Sequence, residues 1–270
     1  MATDTERLRE IIRSSRNIVF FGGAGLSTES GIPDFRSEDG VFKATQAYGY
    51  RPETLLSHTF YLRRPAVFYD YYKKYLLCPT AEPNAAHRAL ARMEWGSNYE
   101  KRGEGAEPVG KLHAVITQNI DDLHFRAGSK TVYELHGSVM RNRCERCGAP
   151  YGLDELLKRI GDDANGVPHC ACGGRIKPDV VLYEEGLDND LLTASVNAIA
   201  EADTLIVGGT SLNVYPAAGL CDYFNGKELV VINLSETAKQ LGATLVIRRR
   251  IGEVLEETLR GMTPEELDRV

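Results

Sequence analysis

Four of the six cysteines in this 270-residue chain crowd into 29 residues, as Cys144-x-x-Cys147 and, after 22 intervening residues, Cys170-x-Cys172. Two close thiol pairs joined by a loop are how a chain surrounds a tetrahedral Zn²⁺. The second pair is spaced by one residue rather than two, and His169 offers an alternative ligand beside it. The N-terminus, MATDTERLREIIRSSR, is polar and has no apolar signal core, so secretion is not expected. The cysteines therefore read as metal ligands before they read as disulfides. Four thiolates leave no place for water, so the metal is expected to be structural. Cys78 and Cys221 stand outside the pattern and are expected to be buried.

Around this cluster the chain reads as α/β. Residues 4–16 have helical periodicity, with Thr3 or Asp4 as the cap. Residues 17–21 form an apolar strand that runs into Gly22, Gly23 and Gly25, the opening of a nucleotide-binding α/β unit. Further apolar runs at 111–117, 204–208 and 229–233 also end in small or polar residues. That pattern suits a parallel sheet covered on both faces, with its ligand at the carboxyl ends of the strands. Residues 38–95 look helical and aromatic, and 94–110 read as an exposed loop. The two interruptions suggest a discontinuous large domain (1–37, 84–139 and 179–270) and a small domain made of insertions (38–83 and 140–178).

Composition excludes several classes. With 43% hydrophobic and 26% charged residues the chain is neither disordered nor fibrous. No stretch approaches the roughly 20 apolar residues of a membrane span. A net charge of −6 lacks the electrostatic footprint of a nucleic-acid binder.

Individual motifs leave alternatives open. Gly23-Ala24-Gly25 begins like a dinucleotide-binding turn, but Thr28 stands where a third glycine belongs, so a tight structural turn remains possible. Asp34, Phe35 and Arg36 suit phosphate contact and a cover for a reacting ring, or equally a surface ion pair and a core aromatic. Gln118, Asn119 and Asp121, at a strand end, suit ribose and carboxamide binding or a capped turn. His136, followed by Gly137, is a candidate general base or a hydrogen-bonded structural histidine. Asn84 is expected to cap a helix that His87 helps to pack. His58, His113, His124 and His169 carry no pattern of their own.

Taken in order, the segments GAGLSTESGIPDFRS (23–37), PNAAH (83–87), TQNIDDLH (117–124), ELHGSV (134–139), the cysteine quartet, KPDVVLY (177–183), GTSLNVYPAAGL (209–220) and VINLSET (231–237) resemble the sirtuins, NAD-dependent protein-lysine deacylases. The resemblance spans most of the chain and is strongest to bacterial and archaeal members. It implies a Rossmann-like sheet with helices on both faces and a smaller zinc-containing domain, with NAD and acyl-lysine meeting in the cleft between them. It assigns Ala24, Thr28, Phe35, Arg36, Gln118, Ile120, Asp121, His136, Thr210, Ser211, Asn233 and Ile251 to NAD. It makes His136 and Asn119 catalytic, and Val180, Val181, Leu182 and Tyr183 the strand that receives the substrate peptide. Cys144, Cys147, Cys170 and Cys172 become the zinc ligands.

The implied reaction transfers an acetyl group from lysine to ADP-ribose, releasing nicotinamide and O-acetyl-ADP-ribose. His136 is the general base that lets the ribose 2′-oxygen attack. Mono-ADP-ribosyl transfer is the competing reading of the same pocket. The expected partners are acetyl-lysine proteins or peptides, in the cytoplasm, with no membrane and no direct nucleic-acid binding. Some positions depart from the family pattern: Gly22 precedes the GAG segment, and Glu184-Glu185 replaces Gly-Glu after the substrate strand. Members that remove succinyl or malonyl groups carry a Tyr-x-x-Arg pair. Here Tyr69 fits the tyrosine, but Tyr72 stands at the arginine. A buried carboxylate would lack its bidentate partner, so neutral acyl groups are expected.

Overall fold

The computed structural model describes residues 2–33, 38–103, 105–236 and 242–269. Six strands form one parallel sheet: β1 (Ile18–Gly22), β2 (Leu112–Thr117), β3 (Val132–Glu134), β7 (Thr204–Gly208), β8 (Glu228–Ile232) and β9 (Leu245–Ile247). Their spatial order is β3-β2-β1-β7-β8-β9, and every neighbouring pair is parallel. This is the doubly wound order in which the chain reverses direction across the sheet beside its first strand. The crevice therefore opens at the carboxyl ends of β1 and β7, where Gly22-Gly23 and Gly208-Gly209 lie.

The apolar runs have no polar alternation because both faces are covered. Ile18 and Phe20 of β1 join Ile206, Val230, Ile232 and Ile247 beneath the helices Asp4–Ser14, Ala85–Trp95 and Ile251–Arg260. Val19 and Phe21 point the other way, onto Ala198 and Ile199 of the helix Asn189–Glu201. The first helix is shorter than its periodicity suggested. It starts at the Thr3 cap, whose side chain and Glu6 make a reciprocal capping box, and it stops at Ser14. Asn17 and Lys111 precede their strands, and Asn233 follows its own.

A second, antiparallel sheet has the order β5-β4-β6, from β4 (Gly137–Cys144), β5 (Pro150–Gly152) and β6 (Ile176–Val180). It shares a core with aromatic residues of the helices His58–Arg63 and Pro65–Tyr71 and of the π-helical turn Tyr72–Leu76: Tyr61, Phe68, Tyr69 and Tyr72 pack with Val139, Ile176 and Val180. The ring of Tyr72 stacks on Phe68 at 5.9 Å.

The segment 94–110 is a correction. Its ends are not exposed loop: Glu94, Gly96 and Gly110 are buried, and Gly96–Lys101 is a short 3₁₀ helix. Glu94 is buried because its carboxylate accepts the NH groups of Lys130 and Thr131 at 2.9 and 2.7 Å. Cys221 is buried as expected, whereas Cys78 is partly exposed.

Asn84 does cap its helix, accepting from the NH groups of Ala86 and His87. His87 is wholly buried against His124, with ring centroids 4.7 Å apart. Burial, with the neighbouring His124 and Arg88, pushes His87 down from 6.5 to about 2. Burial alone pushes His124 down to about 3. Both rings are thus neutral in the folded protein, while the unfolded chain protonates them below about 6.5. The unfolded state then binds more protons, so stability falls as pH drops from 6.5 towards 3. Each imidazole contributes about 1.4 kcal/mol per pH unit in that window. Urea unfolding at pH 6 and pH 5 should show the loss, and equal stabilities would contradict a neutral pair.

Candidate active site between the two sheets

The crevice is built by close approach of backbone. Gly25 N donates to Gly209 O at 2.8 Å, and a Cβ on Gly25 would lie 2.8 Å from that oxygen. Gly209 has φ +62, and a Cβ there would lie 2.4 Å from Leu26 N. A side chain at either position would push the two strand ends apart. Gln118 spans the join: its NH donates to Gly22 O, and its Nε2 donates to Thr210 Oγ1 at 3.0 Å.

Asn119 is fixed from one side. Its Nδ2 donates to Gly23 O at 3.1 Å and to Ser27 Oγ at 2.9 Å. Ser27 Oγ in turn donates to Asp121 Oδ2 at 2.6 Å, and Asp121 Oδ1 accepts from Leu123 N. With the NH₂ engaged, the Asn119 side chain offers its carbonyl oxygen as an acceptor. Burial raises the Asp121 carboxyl above its ordinary value, against the lowering effect of the Ser27 and Leu123 hydrogen bonds.

His136 is half-buried just before β4, with Nδ1 2.9 Å from Gln118 O. A carbonyl only accepts, so Nδ1 carries the proton and, in the neutral ring, Nε2 holds the lone pair. The ring is therefore oriented as a base by the strand end that also carries Asn119.

These groups wall a cavity of about 220 Å³. Ala24, Gln118, Asn119, Ile120, Asp121 and His136 line it, and so do Val180, Val181, Leu182 and Tyr183. A second cavity, of about 520 Å³, shares Ala24 and Gln118 with the first. Thr28, Thr210, Ser211, Asn233 and Ile251 line it, along with Gly23 and Gly25. Of the seventeen residues expected around NAD, substrate and chemistry, the two cavities hold fifteen: Ala24, Thr28, Gln118, Asn119, Ile120, Asp121, His136, Thr210, Ser211, Asn233, Ile251 and the segment 180–183. Phe35 and Arg36 lie outside the described residues, as does Asp34.

Sequence reasoning missed Ser27, and also Ile32, Pro33 and Val214 of the first cavity wall, and named Glu185 only within a departure from the family pattern. Ser27 had one signal, its place one helical turn beyond Gly23. Tyr69 and Tyr72 are a different correction, since neither lines the cavity. Both are fully buried in the aromatic core, and Tyr75 and Leu76 form the nearby wall instead. Tyr69 donates to Ile176 O at 2.7 Å, and the Tyr72 hydroxyl has no partner among the described residues.

The ligand atoms of Cys144, Cys147, Cys170 and Cys172 all lie within 4.8 Å of one another. Cys144 and Cys172 are 3.5 Å apart and Cys147 and Cys170 3.6 Å. A tetrahedron with zinc–sulfur bonds of about 2.3 Å has edges of about 3.8 Å, so the quartet fits Zn²⁺. Arg146 N points at Cys144 Sγ from 3.4 Å, as expected for a turn that wraps a thiolate. The one-residue spacing works because Gly173 and Gly174 complete the second turn: Gly173 has φ +81, and a Cβ on Gly174 would lie 2.7 Å from Cys144 Sγ. His169 is outside the quartet and faces Asp163 at 3.7 Å.

A doubly wound sheet with a glycine-walled crevice, joined to a four-cysteine module at a common cavity, defines a nucleotide-binding α/β enzyme with a structural metal. A model of the Sir2 family matches residues 23–216. The chain is 51% identical over 253 residues to an NAD-dependent protein deacetylase of Clostridium acetobutylicum, covering 93% of this chain and 96% of the relative. It is 48% identical over 259 residues to a protein of the same name from Cutibacterium acnes, covering 96% and 99%. A solved Sir2 structure with a p53 peptide and NAD⁺ is 35% identical, covers 95% of this chain and 97% of its own, and has a TM-score of 0.79. Another, with a deacetylated p53 peptide and 3′-O-acetyl-ADP-ribose, is 34% identical, covers 96% and 98%, and has a TM-score of 0.81. The chain belongs to the Sir2 family.

Proposed function

We propose that the protein is an NAD-dependent protein-lysine deacetylase that moves the acetyl group to ADP-ribose and releases nicotinamide. One observation carries this reading. The first cavity brings His136 and Asn119, from the carboxyl side of the parallel sheet, against the segment 180–183, which continues from the end of β6. A dinucleotide and an acyl-lysine thus have separate approaches to one point.

Ala24, Thr28, Gln118, Ile120, Asp121, Thr210, Ser211, Asn233 and Ile251 would hold NAD, with Phe35 and Arg36 assigned to it by the sequence alone. NAD, when bound, supplies an activated ribose carbon and a neutral nicotinamide leaving group. The chain's own contribution is orientation and proton transfer. The Asn119 carbonyl accepts a ribose hydroxyl, held in place by the Ser27–Asp121 chain. His136 Nε2 accepts the hydroxyl proton while Gln118 O keeps Nδ1 protonated. The apolar wall of Ile32, Leu56, Ile120 and Val180 holds the acyl group and excludes water, and holding reactants in place supplies a large share of such a rate enhancement. The cysteine quartet would hold Zn²⁺ away from this chemistry, as a closed structural site.

The division into a large domain (1–37, 84–139 and 179–270) and a small one (38–83 and 140–178) is part of this proposal, with β4 and β6 running across its joins. The proposed setting is cytoplasmic, without direct nucleic-acid binding. Among the described residues, no helix is long and apolar enough to cross a membrane.

Mass spectrometry of an acetyl-lysine peptide, with and without NAD, tests the reading. NAD-dependent loss of acetyl together with O-acetyl-ADP-ribose is expected. ADP-ribosylated protein without deacetylation would favour ADP-ribosyl transfer instead. The cavity also forecasts acyl preference. Its described walls carry Asp121, Glu184 and Glu185 and no lysine or arginine. An acidic acyl group would find no bidentate partner there, so succinyl should leave more slowly than acetyl. Succinyl leaving the same peptide faster than acetyl would overturn that expectation.

A further inference from the structure

The segment leaving β6 is gripped by the side chains of Glu185, Lys177 and His58, of which Glu185 also lines the first cavity. Glu185 Oε1 meets His58 Nδ1 at 2.7 Å. Its Oε2 accepts from Leu182 N at 2.8 Å and from Lys177 Nζ at 3.1 Å. Lys177 Nζ also donates to Val180 O at 2.9 Å. The Lys177 and Glu185 side chains are only 18% and 21% exposed, so the pair is poorly screened by water. Burial raises the Glu185 carboxyl, but Leu182 N, His58 and Lys177 together bring it below its ordinary value.

The geometry gives this grip a purpose. In an extended segment the carbonyl of residue 180 and the NH of residue 182 point to one edge. Lys177 and Glu185 occupy both. Tyr183 is also engaged: its NH donates to Leu56 O at 3.0 Å, and its carbonyl accepts from His58 N at 2.9 Å. Val181 N donates to His136 O at 2.9 Å, tying the same segment to the proposed base. An open strand edge accepts an incoming chain in more than one register, and plugging some of its groups removes the alternatives.

We propose that Glu185, held by His58 and Lys177, is a positioning residue that fixes the 180–183 segment so that it receives the acyl-lysine peptide in one register. The inference rests on the deacetylase reading above. The test uses the zinc-loaded full chain and the variants Glu185→Ala, Glu185→Gln and Lys177→Met. Peptide affinity is read by fluorescence anisotropy, peptide KM at saturating NAD, and NAD affinity by calorimetry.

Glu185→Ala should weaken peptide binding and raise peptide KM about tenfold, the usual scale for losing hydrogen bonds to a charged group, and leave NAD affinity unchanged. Glu185→Gln keeps an acceptor for Leu182 N and should recover most of the loss. Lys177→Met should resemble Glu185→Ala. Wild-type peptide affinity in folded Glu185→Ala would overturn the proposal. So would a parallel loss of NAD affinity and zinc, the signature of general loosening. Anisotropy does not depend on turnover. A wild-type chain that binds the peptide without deacetylating it would count against the deacetylase reading alone.

Discussion

His136→Ala should lower kcat for deacetylation by about 10²–10⁴, the range for removing a positioned general base. Zinc content and thermal stability should stay near wild type, and NAD affinity should fall far less than kcat. The size follows from how the ring is held. Gln118 O, 2.9 Å from Nδ1, selects the tautomer that leaves the Nε2 lone pair for the reaction. The imidazole is half-buried at a cavity wall, outside the hydrophobic cores, so its loss opens space at the wall without removing a packed group. Single-turnover deacetylation, compared with NAD affinity on the same preparation, separates base from binder. A variant that deacetylates at close to the wild-type rate would remove His136 from the role. One that has lost NAD affinity in proportion would make it a binding residue.

The second large effect is expected at the metal. Cys144→Ala should abolish stoichiometric zinc and unfold the three-stranded sheet. Structural zinc contributes about 10–16 kcal/mol in small zinc modules, comparable with the 5–15 kcal/mol by which whole domains are stable. Cys144 is more than a ligand here, since it ends β4, pairs with Ile176 of β6 and belongs to the aromatic core. Removing it opens the metal site and the join between two strands together. The parallel sheet has its own two-sided core and should keep its structure, so circular dichroism should show partial loss. Chelator treatment of the wild type should reproduce the state, and zinc should reverse it. A Cys144→Ala protein holding one zinc per chain would refute the ligand assignment.

Some of this was legible in the residues. The strands stood out because a sheet covered on both faces needs unbroken apolar runs, and IVFFG at 18–22 is one. The quartet stood out because thiol spacing is set by local turn geometry. The order of the motifs carried the site through the family resemblance, and the segments after β1, β2, β3, β7 and β8 do end strands at one edge of the parallel sheet. Other features had no local signature. His87 and His124 look unremarkable apart and become a buried pair only through packing. Tyr72 was matched to an arginine position in the pocket, yet its ring belongs to the aromatic core. The ends of 94–110 looked like loop because they are polar, but Glu94 is buried where two backbone NH groups satisfy it.

The sequence by itself made the fold class and the cysteine cluster legible, because periodicity, turn chemistry and spacing act over a few residues, whereas the residues of the proposed NAD site rest on the resemblance of the ordered motifs to the family. Tertiary structure alone decided that Asn119 is fixed by Ser27, that Gln118 O sets the His136 tautomer, and that His58 and Lys177 meet at Glu185. Each joins groups from separate segments. Hydrogen bonds reach only about 3 Å, so which groups can form them is settled when the sheets and helices pack.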